Sequence, residues 1–165
     1  PIPLGWGMEN KFTQVVDRQA RVHTVLWENP PDAAQPSSDL NTWQYYHYWR
    51  DSNGKWTRNA LGFGQGKRPS LFVDRQDNLY LVYNKSRDYK SGGQLEIARA
   101  TAKGLWSDWA VCHKEAGPFM GEPVVDRSRM YTDGILSVYV QQEPGKLGGS
   151  SPLRVLDFQP QPASE

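Results

Sequence analysis

A three-residue phrase recurs along this chain, as Val16-Asp17-Arg18, Val73-Asp74-Arg75 and Val125-Asp126-Arg127, with the aspartates separated by 57 and then 52 residues. After each phrase comes a stretch of alternating apolar and polar residues, over Arg21–Trp27, Asn78–Asn84 and Gly134–Gln141. That alternation is the pattern of a half-buried strand. A further strand follows in each repeat, at Gln44–Arg50, Gln94–Thr101 and Pro152–Gln159. A fourth closes the first two repeats, at Lys55–Leu61 and Ser107–His113, and the third repeat stops before its fourth strand. Fifteen Gly, twelve Pro and an aromatic set of seven Trp, eight Tyr and five Phe suit many short strands and turns. No window carries an apolar 3.6-residue period long enough to predict a helix.

Four antiparallel strands per repeat is the make-up of a β-propeller blade. The chain is therefore read as all-β: one partial propeller domain over residues 1–165, with about three blades near 10–61, 68–113 and 121–160. A solenoid would need helices or much shorter repeats, and a β-sandwich has no reason to repeat the Val-Asp-Arg phrase. The first two repeats also carry turns resembling an Asp-box, in Asp51-Ser52-Asn53-Gly54-Lys55-Trp56 and Lys103-Gly104-Leu105-Trp106. Closed propellers use roughly four to eight blades, and an open arc leaves bare strand edges that invite aggregation. The remaining blades are thus expected from an N-terminal segment or a complementary chain. The sequence begins at Pro1, with neither an initiator methionine nor a signal peptide, which reads as a processed product or a fragment.

A formal charge of +1 and no basic run argue against nucleic acid as a partner. No stretch approaches the length of apolar residues that would span a membrane as a helix. The lone cysteine, Cys112, excludes an intrachain disulfide and reads as a packed strand residue. Three histidines far apart in the sequence offer no local metal-ligand spacing, so neither a metal nor another cofactor is expected.

The connections between second and third strands are long, at Asn29–Asn41, Lys85–Gly93 and Gln142–Ser151, and share a face with the inter-repeat links Gly62–Lys67 and Lys114–Gly121. Long loops on a rigid scaffold are where binding residues concentrate, so that face is the expected working face. The densest cluster of sugar-stacking and hydrogen-bonding side chains, Trp43-Gln44-Tyr45-Tyr46-His47-Tyr48-Trp49-Arg50, begins there. Arg68 and Glu122 enter the innermost strands from the same end. Strand alternation sends Tyr46, Tyr48 and Arg50 one way and Tyr45, His47 and Trp49 the other. An anionic sugar broken by β-elimination needs a cation to neutralise its carboxylate, which Arg68 can supply. It also needs a tyrosine or histidine to move the proton, for which Tyr46 and His47 are candidates. Tyr45, Trp43 and Glu122 are candidate substrate contacts. Each has a plainer reading: Arg68 paired with an acid across the channel, Glu122 in a structural ion pair, Tyr48 and Trp49 as packing. On the same view His23 is a satisfied structural histidine, His113 is structural or solvated, and Asp17, Asp74 and Asp126 tie down their own turns.

Four segments together carry a resemblance: Tyr45-Tyr46-His47-Tyr48-Trp49-Arg50-Asp51, Lys67-Arg68-Pro69, Gly117-Pro118-Phe119-Met120-Gly121-Glu122-Pro123 and Pro152-Leu153-Arg154-Val155-Leu156-Asp157-Phe158. The chain resembles the C-terminal part of BNR-repeat propeller proteins, a family that includes ulvan lyases and fungal rhamnose–glucuronate lyases. The resemblance implies a seven-bladed propeller and metal-independent β-elimination at a uronic acid, by a histidine, a tyrosine and a charge-neutralising arginine. It matches Tyr46 to the tyrosine, with Tyr45 as fallback, and Arg68 to the arginine. It places the histidine in earlier blades and leaves His47 a candidate only. The expected protein is a secreted, extracellular polysaccharide lyase acting on an anionic polysaccharide, this chain alone being inactive. The alternatives are a non-catalytic carbohydrate-binding propeller and, more distantly, a sialidase-like hydrolase.

Overall fold

The fold is seen in a computed structural model that describes residues 7–8, 12–30, 34–35, 37–63, 68–85, 92–146 and 148–160. Parts of the expected long loops, at 31–33, 36, 64–67 and 86–91, lie outside the described residues. Two antiparallel sheets are present. In the first, β3 (Val22–Glu28), β4 (Gln44–Arg50) and β5 (Trp56–Ala60) run as a meander, with β1 (Gly7–Met8) and β2 (Gln14–Val16) end to end along the free edge of β3. The second has the order β6 (Ser70–Val73), β7 (Leu79–Lys85), β8 (Gly93–Ala100), β9 (Ala110–Val125), β10 (Leu136–Gln142), β11 (Leu153–Phe158).

The sixteen residues of β9 do two jobs. Ala110–Glu115 pair with β8, and Phe119–Val125 pair with β10. The expected link Lys114–Gly121 is therefore strand, because the ladder to β8 continues through Leu95↔Glu115 and Gly93↔Phe119. Three meanders result: β2–β5, β6 to the first half of β9, and the second half of β9 to β11. Each second strand starts one or two residues later than the alternation suggested.

The middle meander is a covered layer. Leu79, Leu81 and Tyr83 point to one face and Tyr80 and Val82 to the other, and all five are buried. A run apolar on both parities is what a strand covered on both sides requires. On one side lies a core formed with the first meander, including Val25, Trp27 and Tyr45 against Leu71, Leu81, Tyr83 and Ala98, with Trp106 at its end. On the other lies a core formed with the third, including Phe72, Val82 and Ile97 against Phe119, Leu136, Val138 and Val140.

The recurring aspartates build matching turns. Asp17 Oδ1 accepts from the backbone N–H groups of Gln19 and Arg21, and Asp74 Oδ1 from those of Gln76 and Asn78. The fourth residue is left-handed in both, at Ala20 (φ 60°) and Asp77 (φ 62°). Asp51 repeats the device, with Gly54 (φ 82°) in that place, where glycine is least strained. The third copy departs. Asp126 N-caps a helix, α1 (Arg127–Asp133), by accepting from the Arg129 N–H at 3.0 Å, and Gly134 ends the helix with φ 71°. Seven residues with only Met130 buried carry too little periodicity to announce a helix; the Asp126 and Gly134 caps were its available signal. No described helix is long and apolar enough to cross a membrane.

Candidate functional site

Alternation along β4 divides the aromatic stretch among three environments. Tyr45 and His47 face the middle meander and are fully buried, as is most of Trp43. Tyr45 meets Tyr83 edge-on at 5.5 Å, and burial raises its phenol well above the usual range. His47 is sealed at the short-turn end of the seam between the first and second meanders. Its Nε2 lies 3.0 Å from His23 Nδ1, and His23 Nε2 lies 3.2 Å from Asp17 Oδ2. Arg21 Nε donates to the same carboxylate oxygen at 2.6 Å. Trp49, Trp106 and Trp109 enclose the two imidazoles, and the Arg21 guanidinium lies over the Trp106 ring at 4.5 Å.

The protons follow from these contacts. Asp17 feels a rise from burial, but the hydrogen bonds from Arg21 and His23 outweigh it and hold its carboxyl below the ordinary range. An ionised Asp17 requires His23 Nε2–H as donor, so His23 Nδ1 accepts from His47 Nε2–H. His47 Nδ1 is then the lone-pair nitrogen; among the described residues it makes no hydrogen bond of ordinary geometry, although the Trp106 backbone lies near enough to pull against the effect of burial. Both rings are neutral in this arrangement. Burial lowers the His23 pKa against the opposing pull of Asp17; burial and the neighbouring His23 lower that of His47 to about 3. A ring so enclosed has no path to a substrate in this conformation.

Tyr46 and Tyr48 point the other way, to the outer face of the first meander. The Arg58 guanidinium sits 4.0 Å over the buried Tyr46 ring. Tyr48 Oη donates to Glu28 Oε1 at 2.7 Å, with Arg58 Nη2 3.7 Å from Glu28 Oε2. Burial, followed by that carboxylate, raises the Tyr48 phenol, while burial raises Glu28 against the opposing pull of Tyr48 and Arg58.

The long-loop end is open. Arg68 Nη1 pairs with Glu122 Oε1 at 3.3 Å, with side chains 58% and 38% exposed. Beside it Asn84 Nδ2 donates to the Gly121 carbonyl at 2.8 Å, tying the second meander to the third. At the seam between the first and second meanders the same end holds a concavity of about 440 Å³ lined by Asn41, Thr42, Trp43, Gln44, Gly62, Phe63 and Lys85. Trp43 is fixed there by its indole N–H, which donates to the Ser37 carbonyl at 2.9 Å, and by packing on Trp27 at 5.2 Å. Phe63 stacks on Tyr83 at 5.8 Å.

The structure thus joins Arg68 to Glu122 and brings Trp43 to the rim of a cleft. It divides Tyr45, Tyr46 and His47 between a core, an outer face and a sealed network. Lys85 and Phe63 were missed by the sequence reading. Phe63 lies in the link Gly62–Lys67, and Lys85 ends a strand whose alternation places it on Tyr83's face; both were legible as part of the long-loop end. Cys112, expected to be packed, lies exposed on the first half of β9, where its thiol donates to the Ile97 carbonyl at 3.3 Å. His113 stands 3.9 Å from Glu115 and rests on Phe158. No known family model and no curated protein matches this chain.

Proposed function

We propose that this chain is a three-blade sector of a BNR-type β-propeller, and that it contributes the carboxylate-holding side of a polysaccharide lyase funnel. Two features support the propeller. Successive meanders stack face on face, and the two end faces carry large apolar side chains in the open. These are Val16, Val22 and Trp56 on the outer face of the first meander, and Val124, Tyr139, Leu153 and Val155 on that of the third. Such faces call for further sheets, supplied by additional chain or by a complementary polypeptide. Seven blades in all is the count taken from the family resemblance.

One observation carries the functional reading: Arg68 is solvent-open at the long-loop end and, among the described residues, forms an ion pair with one half-exposed carboxylate. A uronate in place of Glu122 would receive charge-assisted hydrogen bonds that strengthen as its α-carbon loses a proton. Tyr46 and His47 are engaged elsewhere, so the proton is moved by groups from the neighbouring blades. In the complete protein, a glucuronate-bearing polymer should yield the ultraviolet absorbance of an unsaturated uronate, and Arg68→Ala should abolish it. Full activity of that variant removes Arg68 from the mechanism. Saturable binding without product assigns the face to a non-catalytic carbohydrate-binding propeller, the reading favoured by the burial of Tyr46 and His47.

A further inference from the structure

We infer that the cleft between the first and second meanders is a second acidic-sugar subsite, with Lys85 as its cation and Trp43 and Phe63 as its apolar wall. This rests on the reading of the long-loop end as an acidic-polysaccharide face. The lining combines what a sugar ring with a carboxylate or sulfate requires: aromatic surface, amides at Asn41 and Gln44, and one ammonium. The volume of about 440 Å³ is of the order of a small-ligand cleft.

Among the described residues the charge at its rim is not fully neutralised. Lys85 Nζ and Lys114 Nζ lie 3.6 and 3.8 Å from the same atom, Glu96 Oε1, so two ammonium groups share one carboxylate. The other oxygen of Glu96 accepts from the Tyr83 hydroxyl at 2.6 Å. Neither lysine is within hydrogen-bond reach of Oε1, which has no hydrogen-bond partner although Glu96 is buried. Among the described residues one positive charge is left over, on side chains about half exposed. A ligand carboxylate or sulfate at the cleft mouth completes the set.

Register ties this cleft to Arg68. The β6–β7 ladder pairs Ser70 with Val82. Two residues further on, Arg68 comes level with Asn84, the neighbour of Lys85. Strand alternation sends Asn84 toward the third meander, where it meets Gly121, and Lys85 toward the first. The end of β7 therefore presents a cation on each side, Arg68 with Glu122 at one seam and Lys85 at the next. A single acidic oligosaccharide crossing that strand end meets both.

The test is calorimetric titration of the full-length protein with a glucuronate oligosaccharide and its carboxyl-reduced counterpart. Lys85→Gln should weaken the acidic ligand by roughly tenfold, on the scale of one charged hydrogen bond, and leave the reduced ligand unaffected. Lys85→Arg should restore most of the affinity. The Trp43 indole N–H resonance should shift on binding, in the Arg68→Ala variant as well. Wild-type affinity in Lys85→Gln with an unmoved Trp43 resonance overturns the subsite while leaving the Arg68 reading intact. Failure of the wild-type protein to bind either ligand overturns both.

Discussion

The seam between the first two meanders has two ends built from similar residues and put to opposite uses. At the short-turn end, Asp17, Arg21, His23 and His47 are shut in among three tryptophans and joined to one another through the Asp17 carboxylate and the paired imidazoles. At the long-loop end, Trp43, Phe63 and Lys85 border open space, and at the neighbouring seam Arg68 meets a half-exposed carboxylate. Residue type therefore says little about role here. The histidine pair has catalytic chemistry but no access, and the open end has access with ordinary side chains. The closed end clamps the first meander to the second.

The severest test of that division is Trp106→Ala. Trp106 is fully buried, donates to the Asp77 carbonyl at 2.8 Å, and packs on His23 at 4.4 Å and Trp49 at 5.0 Å. Removing it opens a cavity in the clamp and leaves a carbonyl without its donor. A loss of about 3–5 kcal/mol is expected from denaturant unfolding. A loss below about 0.5 kcal/mol, within the range of ordinary surface changes, would mean that the meanders are held together elsewhere.

That clamp was only partly visible in the amino-acid order. Asp17 and Asp74 were legible as turn residues because the phrase recurs at equivalent points. The strand Gln44–Arg50 was legible to the residue because its aromatic run is unbroken and the Asp51 turn ends it sharply. Arg68 beside Glu122 was legible because both lead into inner strands from one end. The His23–His47 contact was not. It depends on the cross-strand register His23↔Trp49 and Val25↔His47, and alternation fixes the face of a strand without fixing its register. His47 therefore kept its chemical promise on paper and lost it to packing. The extent of β9 was hidden for a similar reason: glycine and proline at 117 and 118 look like a link, yet the ladders on either side continue past them.

Acid should separate the two ends next. In the unfolded chain the histidines titrate near 6.5; in the fold both are lowered, His47 to about 3. The folded protein thus binds fewer protons than the unfolded chain between those values. Stability is complete above pH 6.5 and falls as the pH drops toward 3, by up to about 1.4 kcal/mol per pH unit for each histidine kept neutral. The lowered Asp17 carboxyl adds a loss in the same direction below its unfolded value of 3.8. Urea midpoints measured from pH 7 to pH 4 should decline, and His47→Leu should flatten the slope even if it costs stability at neutral pH. A level profile in the unaltered protein would show that the pair takes up protons inside the fold.

The finest comparison sets one arginine–carboxylate pair against the other. Arg21 and Asp17 meet at 2.6 Å with side chains 17% and 0% exposed, whereas Arg68 and Glu122 meet at 3.3 Å in the open. Removing Arg21 leaves a buried carboxylate uncompensated, a defect of about 3–5 kcal/mol. A double-mutant cycle on Arg68 and Glu122 should return only about 0.2–1 kcal/mol, falling with added salt. That weakness is what a binding role needs, since an incoming carboxylate must displace Glu122 from Arg68. Glu122→Gln should then leave the unfolding midpoint nearly unchanged and tighten an acidic oligosaccharide, because the guanidinium loses its resident competitor. Equal coupling in the two pairs, or weaker binding in Glu122→Gln, would make Arg68–Glu122 a second structural clamp and remove the asymmetry on which the open end depends.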